Sequence, residues 1–105
     1  MDKIAALTEI LAQDPTNAFA RYGLAMEYAT QGNVDTSLKE FQRLHAHHPD
    51  YTAGYFMAAQ TLAKAGRTGE AKSQLTDGIA SARRTGNQHA LSEMQAMLDE
   101  LELQA

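Results

Sequence analysis

The sequence contains no cysteine, which excludes disulfides, thiolate metal sites and cysteine nucleophiles together and leaves stability to packing. Proline occurs only twice, at Pro15 and Pro49. One valine and three isoleucines stand against nineteen alanines, a balance that favours helix over sheet because alanine has no side-chain freedom to lose. No apolar run approaches the roughly 20 residues of a membrane span. The opening stretch from Met1 to Leu7 carries amphipathic spacing and is soon interrupted by Glu9, unlike the unbroken apolar core of a signal peptide. A cytoplasmic protein with no membrane contact is the expectation. Basic residues number 9 and acidic residues 13, so the formal charge is 9 − 13 = −4, where a nucleic-acid wrapper would show the opposite balance. No nucleic-acid partner is expected. A length of 105 residues allows one domain and little more.

What the chain does have is a repeat. The segment from Leu24 to Gly32 superposes on that from Ala58 to Gly66 at an offset of 66 − 32 = 34 residues. The same offset pairs Phe41 with Leu75, His45 with Ile79, and Pro15 with Pro49. Because proline disfavours the helical conformation in the residue before it, the matched prolines place matched helix ends.

These residues resemble the tetratricopeptide repeat, a helix-turn-helix unit of 34 residues. One unit spans 18–51, with Leu24, Ala25 and Tyr28 on its first helix, Gly32 in the turn, Ser37, Phe41 and Leu44 on its second helix, and Pro49 at its end. The next spans 52–85, with Tyr55, Ala58, Ala59 and Leu62, turn Gly66, then Ala71, Leu75 and Gly78. The chain departs from the family pattern at Arg21, where a large aromatic is usual, and at Arg83, where a proline is. Residues 1–17 read as an N-terminal half repeat with Ile4, Leu7, Ile10 and Leu11 on one face, and 86–105 as a C-terminal capping helix. Strict register would bury Ser92 and Glu93 in that last helix, whereas a shift of two residues buries Leu91, Met94 and Leu98, and the shifted register is preferred. The resemblance implies an all-α, right-handed α-α superhelix forming a single domain. A terminal cover is expected because each unit of a solenoid leaves one face open.

The spacing predicts six antiparallel helices over 2–13, 17–31, 35–47, 51–65, 68–84 and 88–103. Thr16 or Asn17, Asp35, Asp50 and Thr68 are placed to accept hydrogen bonds from the first amides of the helix that follows each. Gly32 and Gly66 suit left-handed closing turns. A glycine inside a helix costs about 1 kcal/mol relative to alanine, so Gly23, Gly54 and Gly78 imply close approach of neighbouring helices.

At about 100° per residue, the first helix of each unit is apolar on two faces. Leu24, Ala25 and Tyr28, and Tyr55, Ala58 and Leu62, form the packing faces. Opposite them lie Phe19, Tyr22, Met26 and Ala29 in one unit, and Phe56, Met57, Gln60, Ala63 and Lys64 in the other. By the family resemblance this second face lines a concave groove for a partner peptide, floored here by Phe19, Tyr22, Met26, Phe56 and Met57, with Gln60 and Lys64 as polar handles. Relatives that grip an acidic carboxyl terminus use asparagines and several basic residues there, whereas this chain has only Lys64. A hydrophobic or helical peptide of another protein is the better match. The rival readings are that the last helix covers the face, or that a second copy does, making a homo-oligomer.

Catalytic patterns are thin. There is no nucleophile elbow and no His-Glu-x-x-His, and Gly66-Arg67-Thr68-Gly69 lacks the Lys-Ser or Lys-Thr of a phosphate loop and reads as an inter-helix turn. No enzyme activity and no cofactor are expected. His45 and His48 have the spacing of a shared metal ion, but no further ligand completes a tetrahedral set, so histidines facing the negative end of a helix dipole are preferred and no metal is expected. The net charge sits at one end: residues 93–105 hold Glu93, Asp99, Glu100 and Glu102 with no lysine or arginine. An acidic last helix serves solubility in the first reading and a basic partner in the second.

Overall fold

The computed structural model describes residues 2–104; positions 1 and 105, the outermost of the two terminal segments, lie outside the described residues. The described residues are all-helical: α1 (Lys3–Gln13), α2 (Ala18–Thr30), α3 (Val34–His47), α4 (Thr52–Lys64), α5 (Thr68–Thr85) and α6 (Gln88–Leu103). Each boundary falls within one residue of the position that the spacing predicts. No helix among the described residues is long and apolar enough to cross a membrane. The chain divides into two compact units, Met1–Pro49 and Asp50–Ala105.

Polar side chains start three of the helices by satisfying amides that have no intrahelical partner. Asp2 accepts from the Ile4 amide at 3.0 Å, Asn17 from Ala20 at 2.9 Å and Asn87 from Ala90 at 3.1 Å. Three expected caps do not form. Asn33 flanks α3, which starts one residue early, and Asp35 lies in its first turn, where a carboxylate still meets the positive end of the dipole. Tyr51 flanks α4, and the Asp50 carboxylate is taken by Arg84 at 2.7 Å. Arg67 flanks α5, so Thr68 is already helical, and the Arg67 guanidinium grips Glu70 through two bonds of 2.8 Å. At the other ends, Gly32, Gly66 and Gly86 take φ of 79°, 77° and 68°, the left-handed region that glycine enters without steric cost.

In the first unit α1 and α3 both pack on α2. Leu11, Ala20 and Leu24 are buried, and Ile4, Leu7 and Tyr28 pack against them. Ile10, expected on this face, is 45% exposed instead, because Leu11 already occupies the side of the last turn that meets α2. Phe41 and Leu44 are buried on α3, and the fully buried Ser37 donates to the Ala25 carbonyl at 2.7 Å. The repeat pairs Ser37 with Ala71, since 71 − 34 = 37, so this hydroxyl is an addition that the Ala25 carbonyl satisfies. Gly23 lets α1 come close: a Cβ there would lie 3.4 Å from both Leu7 methyls.

In the second unit α5 packs on α4 and α6, and α6 also touches α4. Tyr55, Ala58, Ala59 and Leu62 of α4 are buried, as are Ala71, Leu75, Ile79 and Ala82 of α5. Met94 of α6 is fully buried while Ser92 and Glu93 are exposed, as the two-residue shift requires. Leu91 and Leu98 are only half-buried, and Leu101, which the spacing did not single out, is buried. The buried Thr52 and Ser81 hydroxyls bond each other at 2.8 Å.

Gly78 is where α5 comes nearest to its neighbours. A Cβ there would strike the Met94 sulfur and lie 2.7 Å from the Tyr55 Cβ. Gly78→Ala should therefore lower stability by about 1–3 kcal/mol through overpacking, although alanine alone would favour the helix by about 1 kcal/mol. Gly69, in the same helix, faces open space, and Gly69→Ala should be neutral or raise stability by about 0.5 kcal/mol. Urea unfolding of the two variants checks the sign of each.

Burial also raises the ionisation of the Tyr55 hydroxyl above its ordinary range; Asp77 and Asp50 add to the rise and Arg84 opposes it. Since the folded state holds the proton more tightly than the unfolded state, Tyr55 contributes stability that is complete below about pH 10 and is lost as pH rises through the folded-state value. Melting followed from pH 8 to pH 11 should show this loss, and Tyr55→Phe should remove its share of it.

Candidate functional site

The amphipathic logic of α2 and α4 assigns one face of each to the core of its own unit, and the structure tests what becomes of the other. On α2, Phe19 at the first turn is 78% exposed. Tyr22, Met26 and Ala29 are half-buried. Tyr22 is less free than its place on the second face implies, because its ring sits edge-on to the buried Phe41, with centroids 6.4 Å apart and planes inclined at 68°. It serves the packing of the first unit as well as the surface. On α4, Phe56, Met57, Gln60 and Ala63 are half-buried and Lys64 is exposed. The last helix packs beside α4 yet leaves these side chains partly open, so the reading in which it covers that face entirely does not hold.

Arg21 is the position that family spacing marks as unusual. Its guanidinium reaches Glu40 at 2.7 Å and the Pro15 carbonyl at 3.0 Å. Glu40, with a side chain only 6% exposed, also accepts from Arg43 at 2.9 Å. The repeat pairs Arg21 with the buried Tyr55, since 55 − 34 = 21. An ion pair thus stands in the first unit where an aromatic ring stands in the second. A signal for it existed: Glu40 shares the face of Ser37, Phe41 and Leu44 at helical spacing, which places a carboxylate toward the core.

His47, His48 and His89 each face a polar group of the protein. His48 Nε2 lies 2.6 Å from the Thr16 carbonyl and His47 Nδ1 3.2 Å from that of Arg43, while His89 faces Glu93 at 3.0 Å. Among the described residues no three metal-ligating side chains converge, and no buried side-chain nitrogen or oxygen lacks a hydrogen-bond partner. A cavity of about 500 Å³ in the second unit is lined by Asp50, Tyr51, Thr52, Ala53, Thr85 and Asn87. Its acid is paired with Arg84, and the Thr52 and Thr85 hydroxyls bond Ser81.

No family model matches the chain. Its likeness to individual proteins is nevertheless extensive. A solution structure of a tetratricopeptide repeat domain protein from Salinibacter ruber is 33% identical, with a TM-score of 0.77 over 84% of this chain and 89% of that one. The chain belongs to the tetratricopeptide repeat family. A tetratricopeptide repeat-containing protein of Pseudomonas aeruginosa is 29% identical over 99 residues, which cover 94% of each chain. The fold is also that of PcrH, seen in a crystal structure with the chaperone binding region of PopD: TM-score 0.88, 17% identity, 96% of this chain and 77% of that one. At its departures from the family pattern, this tetratricopeptide repeat protein keeps the helix pairs and changes what fills them, with Arg21 paired to Glu40 and with Arg83 exposed inside α5.

Proposed function

We propose that this chain is a non-catalytic protein-interaction module, an adaptor that holds a hydrophobic or helical peptide segment of another protein. The contact residues are Phe19, Tyr22 and Met26 on α2, and Phe56, Met57, Gln60 and Lys64 on α4. The observation that carries this reading is the incomplete burial of large apolar side chains on the second face of both helices, most of all Phe19. Methionine and aromatic side chains adapt to an incoming apolar surface, and anchors spaced three and four residues apart on a helix suit such faces. The complex of PcrH with a segment of PopD supports a peptide as the occupant. His47, His48 and His89 and the buried hydroxyls of Ser37, Thr52 and Ser81 are each held by a neighbouring carbonyl, a carboxylate or one another.

The test uses a displayed library of random 20-residue segments selected on the protein. Phe19→Ala combined with Phe56→Ala should weaken the selected segments by about tenfold or more, as loss of aromatic anchors does, with helical circular dichroism and melting nearly unchanged. A fall in melting temperature of many degrees would make these residues core and overturn the assignment. Light scattering over a concentration series should show a monomer; a dimer that dissociates on Phe19→Ala would favour the self-assembly reading instead.

A further inference from the structure

The second unit carries its own statement about what the partner looks like. The fully buried Met94 of α6 corresponds to the buried Ala58 of α4 at an offset of 94 − 58 = 36, and the same offset carries Tyr55 to Leu91 and Leu62 to Leu98, all at least half-buried. Helix α6 therefore repeats the packing face of α4 in a register lengthened by two residues. The second face follows by the same offset. Phe56 maps to Ser92, Met57 to Glu93, Gln60 to Ala96, Ala63 to Asp99 and Lys64 to Glu100, and all five α6 residues are exposed. Where α4 offers two large apolar side chains, α6 offers small ones and three carboxylates. Nothing basic occurs in the described chain after Arg84 except His89, which faces Glu93.

We propose that the segment bound by this unit is a peptide of another protein with apolar anchors that meet Phe56 and Met57 and with lysines or arginines beside them that meet Glu93, Asp99 and Glu100. The proposal rests on the protein-interaction reading given above and specifies its ligand class. Charge complementarity selects this occupant over a second copy of the chain, because the second faces of α2 and α4 together carry a single basic group, Lys64, to answer three acids. Exposed carboxylates contribute little singly, but three that face one segment steer its approach and reject acidic competitors.

The displayed library decides the matter. Selected segments should combine apolar anchors at helical spacing with an excess of lysine and arginine, and a synthetic segment from that set should lose about tenfold in affinity between 50 mM and 500 mM salt. In Glu93→Lys with Glu100→Lys, both changes being at exposed positions, the selection should turn toward aspartate and glutamate while melting stays unchanged. If apolar segments are selected without a basic excess, or if the charge-reversed protein selects the same set, the proposal fails and the interaction module stands. If no segment is selected at all, the interaction reading itself fails and takes this proposal with it.

Discussion

Leu75→Ala should lower the unfolding free energy by about 2–5 kcal/mol, the range for truncating a buried leucine. Leu75 is fully buried at the middle of α5, the helix that packs on both α4 and α6. Two losses add at such a site: the transfer of the deleted isopropyl group, and the cavity left where the neighbours fail to close in. Both neighbouring helices are pinned, α4 through Tyr55 and α6 through Met94, which already crowd Gly78 one turn further along α5. Collapse onto the vacated space is therefore small, and the upper half of the range is expected. Against a stability of about 5–15 kcal/mol for a typical domain, this single change removes a large share. Urea titration is the measurement, and a loss under about 1 kcal/mol would place Leu75 outside the core.

Arg21→Ala should cost about 2–4 kcal/mol, because it strips one partner from a carboxylate that is nearly inaccessible to water. Arg43 remains within 2.9 Å of Glu40, but its own side chain is 61% exposed, so its charge is shared with solvent and makes poor compensation. The double variant Arg21→Met with Glu40→Leu replaces both charges by apolar groups of similar length. It should recover most of the loss, since a buried pair exchanged whole for hydrophobic contact is often neutral or stabilising. Equal destabilisation by the single and the double change would show that the packing of the side-chain stems, and not the charge left behind, sets the cost. The four proteins of the cycle give the coupling directly.

How far these features were legible in the sequence differs from residue to residue. The six helices were, because Pro15, Pro49 and the turn glycines punctuate an alanine-rich chain at a fixed interval, and interval and punctuation are local properties. The register of α6 was legible in the spacing of Leu91, Met94 and Leu98, and the full burial of Met94 agrees with the shifted pattern. The missed caps belong to another class. Asp50 has the right residue type at the right place, but a guanidinium 34 positions away, Arg84, holds it more strongly than a helix amide would. Tyr22 shows the same limit on the candidate site: its helical phase puts it on the second face, while its ring is long enough to reach Phe41 on α3. Phase around one helix axis says nothing of how far a side chain extends toward the next. The carboxylates of α6 could be counted from the start, and their correspondence with Phe56 and Met57 follows from the two-residue shift that Leu91, Met94 and Leu98 already favoured and that the burial of Met94 bears out.

The three glycine turns close with one hydrogen-bond pattern. In the first, the Gly32 amide donates to the Ala29 carbonyl at 3.0 Å and the Asn33 amide to Tyr28 at 2.9 Å; in the second, Gly66 donates to Ala63 at 3.1 Å and Arg67 to Leu62 at 2.9 Å; in the third, Gly86 donates to Arg83 at 3.3 Å and Asn87 to Ala82 at 2.8 Å. Asparagine follows the glycine in the first and third turns and arginine in the second, and the residue before it differs in all three, so glycine is the one residue common to them and the backbone sets the joint. The first two corners, neither of which caps the following helix through a side chain, are interchangeable parts. Transplanting Gln31-Gly32-Asn33 into the place of Ala65-Gly66-Arg67 would keep the hairpin and remove only the charge that Arg67 now sets against Glu70, which makes the corners the places where such a chain can change its exterior without renegotiating its interior.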